Sequence, residues 1–294
     1  MKLFICVDDT DDLTKETSTG KISDLIAARI VAMGGKMEQG VTRHQLLLHE
    51  DIDYTSHNSS MCVLLDIGDL SVEEVKQAAE EVLRANMSAV SDPGLCFCRP
   101  DELRKPDKLI AFGRRAQQEV IQKEEAYELA EEIGGTILEE YGGTGIGVIG
   151  ALAGVGLRLS GCDGTVRGGK GEEFKDKTMT VAQWKQVMHI EQVVDFAGNL
   201  LSDEQQIYCK GRLKLAFLDN QITLVAKEMD GKLVACNKKD LYENDRPIHQ
   251  WEKPCDDFAQ DNDLGECYSE EEKACYNCLY RRWTAEGYTC VRTV

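Results

Sequence analysis

A short apolar strand that runs directly into a cluster of carboxylates is the feature that most constrains the fold of this chain. Residues 3–7 (Leu-Phe-Ile-Cys-Val) have the composition of a buried strand, and Asp8, Asp9, Asp11 and Asp12 follow at once. A strand that ends in this way places hard oxygen ligands at the edge of a sheet, where sites for Mg²⁺ and Mg-nucleotides are commonly built. The alternative is a solvated acidic turn that binds nothing.

Hydroxyl-bearing residues separate this turn from the first helical pattern. Thr17, Ser18 and Thr19 precede apolar residues at helical spacing, which run from Gly20 to Met33. Hydroxyl and glycine residues at a helix start leave backbone N–H groups that can face an anion such as phosphate. An ordinary helix N-cap is the alternative interpretation.

The length, the apolar runs and the net charge of the chain restrict its possible classes of function. Its 294 residues suit one large or two ordinary domains. No apolar run approaches the roughly 18 residues of a membrane span, and acidic residues follow the first apolar ones too soon for a secretory signal. We therefore expect a cytoplasmic protein without membrane contact. The formal net charge of -18 argues against indiscriminate nucleic-acid binding, although a cationic cluster between Arg99 and Arg115 could form either a local basic groove or a solvated face.

The order of the predicted elements indicates an α/β fold. We expect a mixed sheet flanked by helices, followed by β-hairpins and a small Cys-rich C-terminal subdomain. Helical spacing predicts a helix over 70–87, with Ser71 and Glu74 as its capping box, and one long helix over 110–133. Two-residue hairpin turns are predicted at Asp219-Asn220 and Asp230-Gly231.

The composition shifts near residue 245, where we place a domain boundary. Residues 1–245 form the predicted core, which divides in one interpretation into two lobes at about 1–105 and 106–245. Residues 246–294 form an acidic, aromatic and cysteine-rich tail.

A glycine-rich stretch in the middle of the chain could approach phosphate through its backbone. Gly145, Gly147 and Gly150 fit the spacing G-x-G-x-x-G, which by itself is weak evidence for a dinucleotide site. Glycines allow N–H groups to come close to phosphate oxygens. The alternative is a helix start that packs tightly against a sheet.

A polar loop from Tyr54 to Ser60 is dense in hydrogen-bonding groups. Arg43, just upstream, could contact phosphate, while His57 and Asn58 could orient a base or a ribose. The same composition also occurs in ordinary exposed loops.

These segments, in this order, resemble the archaeal tRNA-isoleucine agmatinylcytidine synthetase (TiaS) family over roughly residues 1–170. The strand, the Asp-Asp-Thr-Asp turn and the Thr/Ser-rich helix start resemble the N-terminus of the family. Arg43 and the polar loop resemble its Arg…Lys-Thr-Arg-Gly-Asn-Gly segment, with Asn58 as the best match. Residues 143–153 (Gly-Thr-Gly-Ile-Gly-Val-Ile-Gly-Ala-Leu-Ala) are similar to its Gly-Arg-Gly-Val-Ile-Gly-Ala-Leu-Ala, and Asp163 lies where the family has Asp-His-Thr.

The resemblance implies a kinase-like core that uses ATP and Mg²⁺. Members of the family phosphorylate a cytidine oxygen of tRNA, and agmatine then displaces the phosphate. By position, Asp8, Asp9 and Asp11 would hold the metal, and Ser18, beside Thr19, stands where a family threonine becomes phosphorylated. The residues assigned to the nucleotide are Arg43, His57, Asn58, Gly145, Gly147, Gly150 and Asp163. Phosphoryl transfer needs mainly positioning and neutralised charge, which residues of these types supply.

Five of the twelve cysteines lie near the C-terminus and predict a metal site. They are Cys255, Cys267, Cys275, Cys278 and Cys290. The C-x-x-C spacing of Cys275 and Cys278 lets two thiolates share one metal. We expect zinc or an iron–sulfur cluster on the last four, with Cys255 as an alternate ligand; reduced thiols in a small subdomain are the alternative.

Together with the acidic turn and the glycine-rich stretch, the resemblance implies a Mg-dependent, ATP-binding, kinase-like enzyme that acts on a tRNA base or a related nucleotide. A non-catalytic nucleotide or RNA sensor would keep the ATP site but lack a site for a second substrate. A metal-centred redox or scaffold protein would depend on the cysteines instead.

Overall fold

A computed structural model describes residues 1–12, 17–52, 58–168, 172–243, 246–247, 258–259, 281–284 and 287–290. The chain divides into two compact units, one of Met1–Ser160 with Pro254–Val294 and one of Gly161–Lys253. The domain boundaries expected near residues 105 and 245 stay predictions.

The first unit is built on an antiparallel sheet with the acidic turn at the end of its middle strand. The strands are β1 (Lys2–Asp8), β2 (Lys36–Met37), β3 (Thr42–Gln45), β4 (Ser59–Asp66), β5 (Gly94–Cys98) and β6 (Thr136–Glu140). Their spatial order is β6-β5-β1-β4-β3, and β2 also pairs with β4. Cys6 pairs with Cys62 on one side of β1, and Asp8 pairs with Gly94 on the other.

Helices cover both faces of this sheet. They are α1 (Thr19–Ala32), α2 (Val72–Asn86), α3 (Pro106–Arg115), α4 (Lys123–Ile133) and α5 (Gly147–Leu159), and Pro100–Glu102 form a 3₁₀ turn. Leu3 and Ile5 of β1 pack with α1 and α2, whereas Phe4 and Cys6 pack with α3, α4 and α5. Because both faces of β1 are buried, its side chains are apolar without alternation.

The predicted capping box of α2 is confirmed. The Glu74 N–H donates to Ser71 Oγ over 3.2 Å, and the Ser71 N–H donates to Glu74 Oε2 over 2.8 Å. The first helix is likewise confirmed, with Ser18 as its N-cap.

The single long helix expected over 110–133 is wrong, because the chain forms α3 and α4 with a linker between them. Gln122 begins α4 with its own capping box to Glu125, which supplies a helix start that the apolar spacing did not reveal. The Ala116 carbonyl at the end of α3 accepts the Leu47 N–H over 3.0 Å. The linker is therefore anchored outside both helices.

The described residues of the second unit form mostly short strands and two short helices. They are β7 (Thr165–Val166), β8 (Thr178–Thr180), α6 (Val181–Met188), β9 (Gln192–Asp195), β10 (Gln206–Tyr208), β11 (Leu215–Leu218), β12 (Gln221–Met229), β13 (Lys232–Ala235) and α7 (Lys238–Leu241), with a 3₁₀ turn at Glu172–Phe174. Two strand pairs, β9 with β12 and β10 with β13, are parallel, and the remaining pairs are antiparallel. The α/β fold class with a mixed sheet and flanking helices is confirmed.

Both predicted hairpin turns are confirmed. Asp219 and Asn220 join β11 to β12 with φ of +50° and +59°, and Asp230 and Gly231 join β12 to β13 with φ of +52° and +73°. Positive φ at both turn residues is typical of the two-residue hairpin turns that match strand twist.

Two further antiparallel pairs occur late in the chain: β14 (Tyr242–Glu243) with β15 (Arg246–Pro247), and β16 (Arg281–Thr284) with β17 (Gly287–Cys290). Within the described ranges, no helix combines the length and the apolar character needed to cross a bilayer.

Candidate functional site

The acidic turn after β1 is attached to the start of α1. Asp9 has a left-handed backbone conformation (φ +53°), which is uncommon for a residue other than glycine and is enriched at functional sites. The Thr10 hydroxyl donates to Thr19 Oγ1 over 3.0 Å, and the Thr19 N–H donates to Asp11 Oδ2 over 3.3 Å. The start of α1 therefore fixes the Asp11 carboxylate.

Glycines bring the first turns of α5 against this acidic strand end. A Cβ on Gly150 would lie 1.6 Å from Asp8 Oδ2, and a Cβ on Gly147 would lie 2.4 Å from the Asp92 carbonyl oxygen. Only glycine leaves room for these neighbours. Tight packing thus accounts for both residues, while their role and that of Gly145 in phosphate binding stay predictions.

One cavity of about 320 Å³ has both the acidic turn and the start of α5 in its wall. Its volume falls in the range of small-molecule sites. The lining residues are Asp8, Asp9, Asp11, Thr19, Leu46, Asp51, Ile52, Asn58, Ser59, Asp92, Ala116, Glu119, Val120, Ile121, Thr144, Ile146, Gly147, Ile149 and Gly150. Two segments far apart in the sequence therefore meet at one place within the first unit.

The polar part of this lining is strongly acidic. Its carboxylates are Asp8, Asp9, Asp11, Asp51, Asp92 and Glu119, and the lining that the structure describes includes no lysine or arginine. Burial, and then the negative charges of Asp9 and Asp11, raise the pKa of the Asp8 carboxyl well above its ordinary value. A polyanionic ligand needs an accompanying cation to enter such a site.

The carboxylates fit a Mg²⁺ ion that is shared with a ligand. Mg²⁺ commonly uses one or two carboxylates together with substrate phosphates and water. Among the described residues, no group of three or more His, Cys, Asp or Glu side chains is arranged to hold a metal by itself. The described residues thus form no complete protein metal centre, but their oxygen donors suit a Mg-nucleotide.

The remainder of the lining is mostly aliphatic. These residues are Leu46, Ile52, Ala116, Val120, Ile121, Ile146 and Ile149. Aliphatic walls suit the flat faces of a nucleobase, and the carboxylates suit the metal and phosphate end of a nucleotide. The cavity therefore offers both kinds of surface that a nucleotide needs.

Residues 88–92, which precede β5, connect the acidic turn with the segment around Thr144. No sequence pattern indicated this role. The Ser88 N–H donates to the Thr10 carbonyl over 2.9 Å, and the Ser88 hydroxyl donates to Asp12. The Thr144 hydroxyl donates to Asp92 Oδ1 over 2.6 Å, and the Thr144 N–H donates to the same oxygen. The pairing of Asp8 with Gly94 places Asp92 near the acidic turn, so a strand-pairing prediction could have found it.

The three residues proposed to contact the nucleotide from the polar loop and its upstream strand differ in their position relative to the cavity. Arg43 is not part of the cavity lining; its Nε donates to Ser59 Oγ over 3.0 Å, and its guanidinium also donates to Gln45 over 2.6 Å. Asn58 does line the cavity, and its side-chain amide donates to the Leu47 carbonyl over 2.8 Å. His57 lies outside the described residues.

Ser18 and Thr19 differ in their relation to the cavity. Thr19 belongs to the lining, whereas Ser18 does not and accepts the Lys21 N–H over 3.3 Å as the cap of α1. Asp163 belongs to the second unit. The roles given to these residues stay predictions.

The predicted metal site of the tail cannot be placed, because Cys255, Cys267, Cys275 and Cys278 lie outside the described residues and only the backbone of Cys290 is described. Zinc or an iron–sulfur cluster there stays a prediction. The other cysteine pair noted in the sequence, Cys96 and Cys98, is buried in β5, and burial raises the pKa of both thiols.

Four cations of the cluster between Arg99 and Arg115 are paired with acidic groups. Lys105 and Lys108 contact Glu132 at 2.5 and 2.6 Å, and Arg99 contacts Glu102 at 2.5 Å. Arg115 pairs with Glu119 and Glu125. These pairings favour the solvated face over an open basic groove.

Comparisons with known proteins give partial structural likenesses. No protein-family model matches the sequence, and no curated protein matches it. A solved complex of TiaS with an isoleucine tRNA and ATP is 25% identical over 53% of this chain and 36% of that chain, with a TM-score of 0.47. Apo TiaS, a tRNA agmatidine synthetase, is 20% identical over 68% and 48% of the two chains, with a TM-score of 0.46.

A third solved structure, a tRNA fluorescent labeling enzyme, is 22% identical over 64% of this chain and 44% of that chain, with a TM-score of 0.47. This chain spans less than half the length of each of these three proteins.

Proposed function

We propose that this protein is a Mg-dependent, ATP-binding enzyme of the kinase-like, phosphoryl-transferring class. The observation that carries the proposal is the meeting of the acidic turn and the start of α5 at one cavity, which carboxylates and aliphatic side chains both line. The motif resemblance to the TiaS family supports the choice of reaction class.

The residues of the cavity have distinct roles in this proposal. The carboxylates of the acidic turn, Asp8, Asp9 and Asp11, share Mg²⁺ with the phosphates, so that one or two of them coordinate it directly, and the metal offsets the charge of the phosphates. The aliphatic residues enclose the base and exclude water. Thr19 and Asp92 line the same cavity and keep the acidic turn and the Thr144 segment in position. Phosphoryl transfer depends mainly on such positioning and charge compensation.

The acceptor proposed for the phosphoryl group is a tRNA base or a related nucleotide. This part of the proposal is supported by the motif resemblance. It predicts that ATP turnover to ADP or AMP increases when tRNA is added. Unchanged slow turnover with intact ATP binding would instead favour a non-catalytic sensor, which was the second interpretation of the sequence.

The binding test compares carboxylates inside and outside the cavity. We expect Asp8→Asn combined with Asp11→Asn to weaken Mg·ATP binding at least 100-fold by calorimetry, because both remove charge that Mg²⁺ requires. Asp69→Asn changes an exposed carboxylate that does not line the cavity, and it should leave the affinity unchanged. Unchanged affinity in the double variant would overturn the site assignment.

A further inference from the structure

Thr144 and its two glycine neighbours lie between two carboxylates just before α5. A Cβ on Gly143 would overlap the Asp92 carboxylate, and a Cβ on Gly145 would overlap that of Glu140. Both glycines have positive φ, +52° and +72°, a conformation that glycine adopts readily. Because Thr144 lines the cavity, the position of its peptide helps to determine the shape of the wall.

Different partners anchor the two sides of Thr144. Its N–H and its hydroxyl both donate to Asp92. Its carbonyl accepts a hydrogen bond from the Lys123 ammonium over 2.7 Å. Lys123 is the first residue of α4, so this bond joins the cavity wall to a helix that is distant in the sequence.

A carboxylate keeps Lys123 beside this carbonyl. The Lys123 ammonium contacts Glu140 Oε2 at 3.1 Å, and the Tyr127 hydroxyl donates to Glu140 Oε1 over 2.7 Å. Lys123 and Tyr127 are four positions apart in α4, so their side chains share one face of the helix. The Tyr127 hydrogen bond, and then Lys123, lower the pKa of the Glu140 carboxyl. Glu140 is therefore ionised near neutral pH and attracts the ammonium.

Local helix preferences do not explain a lysine at this position. The N-terminal end of a helix carries a partial positive charge, which disfavours a cation in the first turn. An exposed ion pair such as that of Lys123 with Glu140 contributes little by itself. The bond to the Thr144 carbonyl distinguishes Lys123 from an ordinary surface lysine, because a charged donor makes a stronger hydrogen bond than a neutral one.

We infer that Lys123 is a positioning residue that fixes the Thr144 peptide in the cavity wall and thereby sets the affinity of the site for a nucleotide. This inference rests on the proposed nucleotide site. Lys123 does not line the cavity, so it acts through Thr144 rather than by touching the ligand. Without the ammonium, the Thr144 carbonyl would lose this donor and its peptide could rotate away from the wall.

The first test compares Lys123 with a matched lysine. Lys108→Met is the control for Lys123→Met, because the two side chains are 26% and 30% exposed and Lys108 likewise pairs with a glutamate. Both substitutions remove one positive charge. By calorimetry we expect Lys123→Met to weaken Mg·ATP binding about 10-fold, as for the loss of a hydrogen bond to a charged group, and Lys108→Met to leave it unchanged. Lys123→Arg keeps the charge and the donors and should retain most of the affinity.

A double-mutant cycle tests whether Lys123 acts through Thr144. Asp92→Ala releases the same peptide from its other side. If the two residues fix one peptide, adding Lys123→Met to Asp92→Ala should weaken Mg·ATP binding little further. A further loss of about 10-fold, as expected for independent sites, would overturn the inference.

Amide hydrogen exchange at Thr144 gives a readout that does not require ATP. In Lys123→Met the Thr144 N–H should exchange about 10-fold faster, whereas Lys108→Met should leave the rate unchanged. Circular dichroism checks that each variant is folded. An unchanged exchange rate in folded Lys123→Met, or an unchanged affinity, would overturn the inference. If the wild-type protein does not bind Mg·ATP, the proposed function fails, and the exchange rate alone decides whether Lys123 fixes the peptide.

Discussion

The two units of this molecule differ in how closely they follow local structural rules. In the second unit, the hairpin turns have the conformations that their residues favour, and Thr180 and Gln183 cap α6 reciprocally. In the first unit, a carboxyl group is buried at Asp8, Asp9 has positive φ, and α5 contains four glycines. Each helical glycine lowers helix stability by about 0.5–1 kcal/mol relative to alanine.

The departures in the first unit concentrate around one cavity. Gly147, Gly150, Asp8 and Asp9 all line it. Deviations from local preference persist where the surrounding structure enforces them, and they are enriched at functional sites. Local stability is given up around the cavity of the first unit, whereas the positive φ values of non-glycine residues in the second unit lie at Asp176, at His189 after α6 and at the two hairpin turns.

The largest loss of stability is expected from a substitution in the core of the second unit. Trp184 is fully buried, packs edge-on against Phe174 at 5.4 Å, and donates its indole N–H to the Ile207 carbonyl over 3.2 Å. Trp184→Ala should lower the free energy of unfolding by about 3–5 kcal/mol in urea titrations. Mg·ATP affinity should persist, because every lining residue of the cavity lies in the first unit.

Trp184→Phe is the milder control, since it retains an aromatic ring and loses the indole hydrogen bond. If Trp184→Ala stayed folded but lost nucleotide binding, the functional separation of the two units would be wrong.

The next prediction tests the contact between Gly150 and the Asp8 carboxyl. Gly150→Ala would place a Cβ where the Asp8 carboxyl lies. It should cost about 1–3 kcal/mol of stability, as overpacking does, and it should abolish Mg·ATP binding. Gly211→Ala is the control, because nothing lies within 4 Å of its added Cβ. Equal effects of the two substitutions would contradict a special role for Gly150.

A smaller loss of stability and affinity should follow when Thr144 loses its hydrogen bonds to Asp92. Asp92→Ala removes the acceptor for the N–H and hydroxyl of Thr144. We expect about 1 kcal/mol of lost stability and a Mg·ATP affinity about 10-fold weaker. Asp92→Asn keeps an acceptor oxygen and should retain most of the affinity. Equal losses in both variants would indicate that the charge of Asp92, rather than its positioning role, matters.

The last prediction is a small gain in stability, whereas the preceding substitutions are expected to lower stability. The pKa of Asp8 is raised in the folded protein, so the wild-type protein loses stability as pH rises from the unfolded value of about 3.8 toward the folded pKa. Asp8→Asn removes this titration. Its melting temperature should equal that of the wild type near pH 4 and exceed it by a few degrees at pH 8 without metal. A constant difference across this range would argue against a buried, titrating Asp8.

Several elements followed from local sequence because short-range physics determines them. Ser71 and Glu74 lie three residues apart and satisfy each other's backbone groups. Asp230 and Gly231 tolerate positive φ, so the hairpin turn follows from their identity. The apolar run before Asp8 likewise predicted a buried strand ending in acids.

The break between α3 and α4 did not follow from the apolar spacing. That spacing continues across the linker, but tertiary contacts decide its path: Leu47 captures the carbonyl at Ala116, and the Ile121 side chain enters the core. Glu119 and Val120 reach the cavity only because of this path.

The acidic strand end, the glycine-rich helix start and the local turns follow from the sequence alone, since each depends on residues within a few positions of one another. The contact of Gly150 with Asp8, the hydrogen bonds of Asp92 with Thr144 and the place of the linker in the cavity wall arise from tertiary packing. These contacts join positions far apart in the chain, and burial and close packing of whole elements select them rather than local preference.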